Sequence, residues 1–166
     1  MIEFTASKAQ LEDTDAVKRL LVRTAEWLKS KGSTQWSGLL HGEDYHDTAG
    51  AIRRGDVYVF HVGGVLAGTV ILLQQPSAWD RDLWGDEGHE PSIYLHRLAI
   101  NRELGGTGLG TRIMRWAETG IRFPGKDRIR LDCIADNPVL NRFYSGLGYE
   151  FKGTAPTGFN LYEKKL

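Results

Sequence analysis

Cysteine is scarce in this sequence of 166 residues, which contains only Cys133. A single cysteine excludes an internal disulfide framework and is typical of a protein in a reducing compartment. Because Cys133 lies inside the strand-like run RIRLDCIAD, we expect a buried and inert thiol. The sequence also lacks an apolar run of about 18 residues, and its first residues, MIEFTASKAQ, lack the basic-then-apolar layout of a signal peptide. We therefore expect a cytoplasmic protein with no membrane partner.

An excess of one charge is also lacking, since Lys plus Arg and Asp plus Glu each total 21 residues. With no net charge to attract the phosphate backbone, we expect no nucleic-acid partner. The apolar and charged fractions, 41% and 25%, are those of an ordinary globular protein. The length predicts one domain over residues 1–166 with a core of its own.

Hydrophobic periodicity predicts a mixed α/β fold. A helix is expected from Asp13 or Thr14 to Gly32, and the clearest hairpin has Gly63 and Gly64 at its turn. The segment 76–92 is polar and rich in turn residues, which predicts a loop. The order of elements predicts a mixed sheet of about seven strands, antiparallel at its start and flanked by about four helices, with a late parallel strand–helix–strand unit.

Four glycines, Gly105, Gly106, Gly108 and Gly110, lie between a predicted strand and a predicted helix. Glycine costs roughly 0.5–1 kcal/mol within regular structure, so this cluster needs a physical reason. Backbone amides with no side chain in front of them, at the positive end of a helix, form a phosphate-binding loop. The residues alone leave a second interpretation open, a turn that merely packs tightly.

Two known phosphate loops fit this segment poorly. The P-loop requires a lysine after its last glycine, whereas Thr111 follows Gly110. The dinucleotide fingerprint G-x-G-x-x-G matches Gly106 and Gly108 but meets Thr111 where its third glycine belongs. Asp132 lies about twenty residues farther on, where that fingerprint has a ribose-binding acid, so a dinucleotide-binding protein stays an alternative. The short chain that follows argues against it.

The segment GGTGLG (Gly105–Gly110) resembles the central signature of the GNAT superfamily of N-acetyltransferases, Q/R-x-x-G-x-G/A between a strand and a helix. Gly108 and Gly110 fill the two small positions of this signature. Gly105 stands where glutamine or arginine is usual, which removes any side-chain contact from that position but leaves the backbone amides.

A second family signature, an Asn followed by a Tyr seven residues later and then by Gly and Phe or Tyr, resembles DNPVLNRFYSGLGYEF. The matching residues are Asn137, Tyr144, Gly148 and Tyr149. Together the two signatures cover roughly Ser92–Phe151. The upstream order of elements agrees with the family without being diagnostic of it.

The resemblance implies a GNAT-like fold and the transfer of an acetyl group from acetyl-CoA to a primary amine of a small molecule or to a protein amino group. The helix after the glycines would hold the diphosphate of acetyl-CoA, and the preceding strand would pair with the pantetheine arm. The residues that the resemblance places against coenzyme A are Leu98, Ala99, Ile100, Gly105, Gly106, Thr107, Gly108, Leu109, Gly110, Thr111, Asn137, Asn141 and Tyr144.

Acetyl transfer needs a proton donor for the departing sulfur and an acceptor for the amine proton. The resemblance implies Tyr144 as the donor, because a phenol with a pKa of about 10 stays protonated at neutral pH; a core aromatic is the alternative. His96 in the strand 92–100 and Asp132 in the next strand are both candidates for the base. The choice between them stays open, and a structural histidine is an alternative for His96.

Acidic and aromatic residues occur together in WDRDLWGDEGHE. Acids beside aromatics suit a cationic amine through charge and cation–π contacts. Tyr94 shares a strand face with His96 and is a further candidate. The candidate substrate residues are Trp79, Asp82, Trp84, Asp86, Glu87 and Tyr94. A solvated loop whose tryptophans pack against the body is the alternative.

No metal is expected from the sequence. His41 and His46 in LLHGEDYH are five residues apart, a spacing that does not place two ligands on one helical face, and no cysteine or third histidine supports them. The resemblance leaves room for a homodimer, formed through the closing strands or the Trp-bearing segment. A protein that binds acyl-CoA as a sensor, without efficient chemistry, is the non-enzymatic alternative.

Overall fold

Residues 3–44 and 46–166 are described by the structure, a computed structural model. Within these ranges the chain has seven β-strands and five α-helices. The strands are β1 (Thr5–Lys8), β2 (Val57–Val62), β3 (Val65–Leu73), β4 (Ser92–Ile100), β5 (Arg128–Ile134), β6 (Glu150–Thr154) and β7 (Phe159–Lys165). The helices are α1 (Thr14–Ser30), α2 (Thr48–Arg54), α3 (Ala78–Trp84), α4 (Leu109–Arg115) and α5 (Pro138–Gly146). None of the helices described is both long and apolar enough to cross a bilayer.

The seven strands form one sheet in the order β1-β2-β3-β4-β5-β7-β6. Strands β1, β2 and β3 pair antiparallel, and Gly63 and Gly64 form the predicted turn between β2 and β3. Strands β4 and β5 pair in parallel, with Ser92–Tyr94 opposite Arg128–Arg130. On its other edge, β5 pairs antiparallel with β7 over its whole length, and β7 also pairs with β6. The mixed seven-stranded sheet predicted from the sequence is therefore confirmed.

The chain forms two compact units. The first contains the residues up to Ile71 together with Arg97–Met114, and the second contains Leu72–His96 together with Arg115–Leu166. The prediction of a single domain over residues 1–166 stays a prediction.

Helix α1 supplies much of the core of the first unit. Its apolar residues recur at three- and four-residue steps, so they share one face, and that face is buried. The helix begins at Thr14 and stops just before Gly32, as predicted. The buried members of the stripe are Val17, Leu20, Leu21, Ala25 and Leu28.

Strand β5 supplies the core of the second unit. Ile129, Leu131 and Cys133 are buried, and the residues between them are partly exposed, which is the period of two expected of a strand. Burial, together with the nearby charge of Asp132, raises the pKa of the Cys133 thiol to about 12. The predicted burial of this cysteine is confirmed.

The segment 76–92 differs from the predicted loop because it contains helix α3. The Ser77 hydroxyl accepts the N–H of Asp80, and the Asp80 carboxylate accepts both the N–H and the hydroxyl of Ser77 at 2.9 Å. This reciprocal capping box stabilises a helix of only seven residues. The described residues therefore hold five α-helices rather than about four. Two turns are too few for periodicity to reveal them.

Candidate active site

The glycine loop, Gly105–Gly110, follows a 3-10 turn and runs into the first turn of α4. The Asn101 side chain begins that turn by accepting the N–H of Glu103 at 3.0 Å. Gly106 and Gly108 both have a φ of +77°, the left-handed region that residues with a side chain rarely adopt. A Cβ at either position would meet no atom within 4 Å. The backbone conformation, rather than crowding, therefore requires glycine there.

Backbone N–H groups of the glycine loop are the candidate ligands for an anion. Across residues 3–44 and 46–166, the N–H groups of Gly106, Thr107 and Gly108 find no acceptor within the protein. The Thr107 hydroxyl donates to the Leu104 carbonyl at 2.6 Å, which ties the loop to its own turn. The first turn of α4, Leu109–Thr111, adds N–H groups that point out of the helix end. These residues fit the diphosphate group predicted for this loop.

Arg97 gives β4 an irregular backbone, with a φ of +54°. Such a conformation in a residue with a side chain persists only where its surroundings hold it. The buried guanidinium of Arg97 donates to Asp44 at 2.8 Å and to the Thr48 hydroxyl at 3.2 Å. Burial opposes the charge on Asp44, but its contacts with Arg97 and Thr48 keep the pKa of Asp44 below its usual value. This ion pair fixes the backbone immediately before Leu98–Ile100, the predicted pantetheine contacts.

Three ionisable side chains of the second unit, Asp80, His96 and Asp132, form what we call the base cluster. The Nε2 atom of His96 is 2.9 Å from Oδ1 and 3.1 Å from Oδ2 of Asp80. One polar atom from each of the three residues lies within 4.8 Å of the others. Only 7% of His96 and 1% of Asp80 is exposed, so water screens this pair weakly.

Asp80 is the permanent anion of the base cluster. Burial acts to raise the pKa of Asp80, but the hydrogen bond and charge of His96 and the donors of Ser77 hold it below its usual value. A carboxylate can only accept a hydrogen bond, so the hydrogen between the two groups belongs to Nε2 of His96. The contact with Asp80 thus sets both the tautomer and the orientation of the imidazole.

The pKa of Asp132 shifts in the opposite direction to that of Asp80. Burial, helped by the charge of Asp80, raises the pKa of Asp132, although His96 and Trp79 act against the shift. The indole Nε1 of Trp79 donates to Oδ2 of Asp132 at 3.1 Å. Two carboxyl groups whose pKa values move apart are a feature of acid–base sites. The two candidate bases predicted from the sequence, His96 and Asp132, therefore lie in one cluster.

Tyr144 is buried on α5, a helix that Asn137 caps and that has proline at its first position. Burial first, and then the nearby Cys133 and Asp132, raise the pKa of the Tyr144 phenol, so it is protonated at neutral pH. Its hydroxyl has no hydrogen-bond partner in the part of the chain that the structure describes. A protonated and unpartnered hydroxyl is suited to donate to a ligand.

The two asparagines predicted to contact coenzyme A are engaged within the protein. Asn137 accepts a backbone N–H at the start of α5. The amide nitrogen of Asn141 donates to the carbonyls of Ile134 and Asn137. Its oxygen accepts the Tyr162 hydroxyl at 2.6 Å and the Asn160 amide at 2.7 Å. Their contacts with coenzyme A stay predictions; in the structure the Asn137 side chain caps α5, and the Asn141 side chain joins α5 to β5 and β7.

Tyr94 lies on the same face of β4 as His96, and its ring is buried. The carbonyl of Gly85 accepts from Nε2 of His89 at 2.7 Å, so Nδ1 of His89 accepts the Tyr94 hydroxyl. Arg130 donates to the same hydroxyl at 3.0 Å. The Tyr94 hydroxyl is thus occupied by protein groups, and its predicted contact with substrate stays a prediction.

The other predicted substrate residues lie in or just after α3. The guanidinium of Arg130 lies 4.4 Å from the centre of the Trp84 ring, a cation–π contact. Asp82, Asp86 and Glu87 are exposed, in contrast to the buried Asp80. These three acids are available to attract a cation, but nothing in their geometry joins them into one site.

The residue types of the base cluster are also those of some metal sites. Asp80 already accepts hydrogen bonds from His96 and Ser77, and these hydrogen bonds account for its contacts. The segment LLHGEDYH contributes to no group of three metal-ligating side chains among the residues described. Its Asp44 instead forms an ion pair with Arg97.

Asp80 is the functional candidate that the sequence reasoning does not single out. The pattern Ser77-x-x-Asp80 is a capping-box signature and would have predicted a helix there. The contact of Asp80 with His96, 16 positions away, depends on the fold and has no local signal.

Comparisons with known proteins agree with this fold. The sequence model of the Acetyltransferase (GNAT) family matches residues 19–149. YesJ of Bacillus subtilis strain 168, an uncharacterized N-acetyltransferase, is 56% identical over 163 residues, which cover 98% of this chain and 91% of that protein. The crystal structure of a GNAT-family acetyltransferase from Listeria monocytogenes 4b F2365 has a TM-score of 0.86 at 40% identity and covers 99% of this chain and 96% of its own.

A more distant structure shares the fold. The PaiA N-acetyltransferase of Thermoplasma acidophilum, solved in complex with coenzyme A, has a TM-score of 0.77 at 18% identity, with 99% of this chain and 100% of that chain covered. The family model and the 56% identical relative place this chain in the class of the acetyl-CoA-dependent acetyltransferases. This chain belongs to the GNAT family of acetyltransferases. Family membership favours acetyl-CoA over the dinucleotide alternative.

Proposed function

We propose that this chain transfers the acetyl group of acetyl-CoA to a primary amine of a small molecule or of a protein, by direct attack of the amine on the thioester. The observation that carries the proposal is the base cluster, in which the proton-accepting groups His96 and Asp132 lie within 4.8 Å of each other. Family membership supports acetyl transfer as the reaction, and the coenzyme A in the PaiA structure supports the donor.

The glycine loop and β4 supply the residues for the donor. The N–H groups of Gly106, Thr107 and Gly108 would bind the diphosphate, and the backbone of Leu98–Ile100 would bind the pantetheine arm. When bound, acetyl-CoA supplies a thioester carbon open to attack and a thiol as the leaving group. The loop contributes binding energy and position rather than chemistry.

The base cluster supplies the proton acceptors. An alkylamine is almost wholly protonated at neutral pH, so its nitrogen must lose a proton before it attacks the thioester carbon and another as the amide forms. His96 and Asp132 accept these protons and pass them to solvent. The Asp80 carboxylate stays ionised beside them and stabilises the positive charge that forms on the imidazole.

Tyr144 supplies the proton for the departing sulfur. As the bond between carbon and sulfur breaks, the sulfur takes the phenolic proton, and the tyrosine regains one from solvent. The burial that raises the pKa of Tyr144 keeps the donor form present throughout the neutral range. One amine and one thioester thus yield one amide and one thiol.

An amine panel tests the proposal. Purified protein with acetyl-CoA is mixed with spermidine, an aminoglycoside, a lysine-containing peptide and free amino acids, and thiol release and the acetylated product are measured. We expect one class of amine to release thiol well above the rate without amine. Thiol release by no amine, from a protein that binds coenzyme A, would contradict the proposal and support the sensor alternative.

Two variants tie the activity to the base cluster. His96→Gln and Asp132→Asn should each lower kcat by about 100-fold or more, whereas His61→Gln, in β2 and outside the cluster, is the matched control. The variant that removes the acidic limb of the pH–rate profile identifies the base. Full activity in both cluster variants would remove the base cluster from the reaction.

A further inference from the structure

Helix α3 holds both candidate bases through two consecutive side chains. We propose that Asp80 and Trp79 are positioning residues of the acetyltransferase site, with Asp80 holding His96 by its Nε2–H and Trp79 holding Asp132 by its indole N–H. One short helix thereby sets the geometry of the pair that accepts protons. This inference rests on the proposed function, because it assigns a role within the same site.

The contacts of α3 favour a positioning role. The Asp80 carboxylate is 2.9 Å from His96, and the Trp79 nitrogen is 3.1 Å from Asp132. The helix itself is anchored by the Ser77 capping box at its start. The Trp79 ring also packs edge-on against Phe159 of β7, with 4.9 Å between centroids. Because the capping box holds Asp80 and the contact with Phe159 holds Trp79, the two side chains fix the orientations of His96 and Asp132.

The groups around the base cluster determine whether a variant raises or lowers the pKa of Asp132. Asp80 and Asp132 are its carboxyl groups, and Tyr144 and Cys133 face Asp132 as neutral groups with raised pKa values. On the other side, Tyr94 faces Asp80 and is itself bound by Arg130. The charge of Asp80 acts to raise the pKa of Asp132, whereas the indole N–H of Trp79 acts to lower it.

Two variants should therefore move the acidic limb of the pH–rate profile in opposite directions. Asp80→Asn removes the negative charge that acts to raise the pKa of Asp132, so Asp132 loses its proton more readily and the limb moves to lower pH, by about one unit. Trp79→Phe keeps an aromatic ring against Phe159 but removes the hydrogen bond that favours the Asp132 carboxylate, so the limb moves to higher pH. A change in folding stability alone would not produce opposite shifts.

The experiment measures kcat/KM against pH for the wild type, Asp80→Asn, Trp79→Phe and the control Ser77→Ala, with acetyl-CoA and the most active amine of the panel. Ser77→Ala weakens the same helix cap without touching His96 or Asp132. We expect kcat to fall at least tenfold in Asp80→Asn with an unchanged KM for acetyl-CoA, and the limb of Ser77→Ala to stay in place. Shifts of the same sign in all three variants would overturn the proposal.

A second measurement needs no amine substrate. Long-range proton–nitrogen spectra of the histidine rings, assigned with His96→Gln, report which nitrogen of His96 carries hydrogen. We expect the Nε2–H form in the wild type and in Ser77→Ala, and a gain of the Nδ1–H form in Asp80→Asn, whose amide can donate to Nε2. An unchanged spectrum in Asp80→Asn would overturn the role of Asp80. The expected spectrum without turnover on any amine would instead contradict the proposed function.

Discussion

At the scale of single residues, the site contains two carboxyl groups whose pKa values shift in opposite directions. Asp80 is buried and Asp132 keeps some solvent exposure, yet the pKa of Asp80 is lowered and that of Asp132 is raised. Asp80 accepts from His96 and Ser77, whereas Asp132 has the single donor Trp79 among its described side-chain contacts. The donors to Asp80 therefore outweigh the effect of burial on its pKa, whereas burial outweighs the one donor to Asp132.

Removal of one hydroxyl tests the proton donor. Tyr144→Phe should lower kcat by about 100-fold and leave the affinity for acetyl-CoA within about twofold, because the hydroxyl acts on the departing sulfur and not on the diphosphate. Thiol release gives kcat, and calorimetry gives the affinity. Tyr149→Phe, which removes a hydroxyl bound to Glu118 at 3.0 Å, is the matched control. Wild-type turnover in Tyr144→Phe would remove this tyrosine from the mechanism.

At the scale of elements, the glycine loop is the feature most open to test. Gly108→Ala forces a side chain into a φ of +77° and should distort the N–H groups beside it. We expect the Kd for coenzyme A, measured by calorimetry, to rise at least tenfold. Gly125→Ala is the control, since Gly125 has a φ of +79° and equally open surroundings outside the loop. Equal Kd values in the two variants would show that backbone strain at any glycine weakens coenzyme A binding, and would contradict a specific role of the glycine loop.

The irregular segment of β4 should depend on its ion pair. Asp44→Asn leaves the Arg97 guanidinium buried without its charged partner and should lower the free energy of unfolding at neutral pH by about 1–3 kcal/mol. Asp56→Asn, in a more exposed pair with Arg54, should cost less than about 0.5 kcal/mol. Urea unfolding at neutral pH measures both. A smaller loss in Asp44→Asn than in Asp56→Asn would contradict this role.

The same pair predicts a pH dependence. Because the pKa of Asp44 is lowered in the folded state, its contribution to stability is fully present above the usual Asp pKa and is lost as the pH falls through the lowered value. The unfolding free energies of the wild type and Asp44→Asn should therefore converge on acidification. A constant difference down to low pH would show that Asp44 acts by packing alone.

Local patterns predicted the elements whose signals are local. The apolar stripe of α1, the Gly63–Gly64 turn and the parallel β4–β5 unit are all present as predicted. Helix α3 was missed because it is short and stabilised by one capping box rather than by a stripe. The sequence predicts His96 and Asp132 as separate candidates. Their proximity to Asp80 depends on contacts between residues far apart in the sequence, which residue spacing cannot predict.

At the scale of the whole molecule, ligand binding should appear as stabilisation. A ligand at 100 times its Kd adds about 2.7 kcal/mol to the free energy of unfolding, which for a chain of this length corresponds to a rise in Tm of roughly 5–10 °C. We expect this rise with coenzyme A and acetyl-CoA but not with NAD or ATP, measured by thermal shift. Stabilisation by NAD alone would support the dinucleotide alternative instead.

The most direct test of the central claim is a crystal structure of this chain with coenzyme A. We predict that the diphosphate accepts hydrogen bonds from the N–H groups of Gly106, Thr107 and Gly108, and that the Tyr144 hydroxyl lies within hydrogen-bond distance of the thiol sulfur. A diphosphate bound elsewhere on the chain, or a sulfur out of reach of Tyr144, would contradict it.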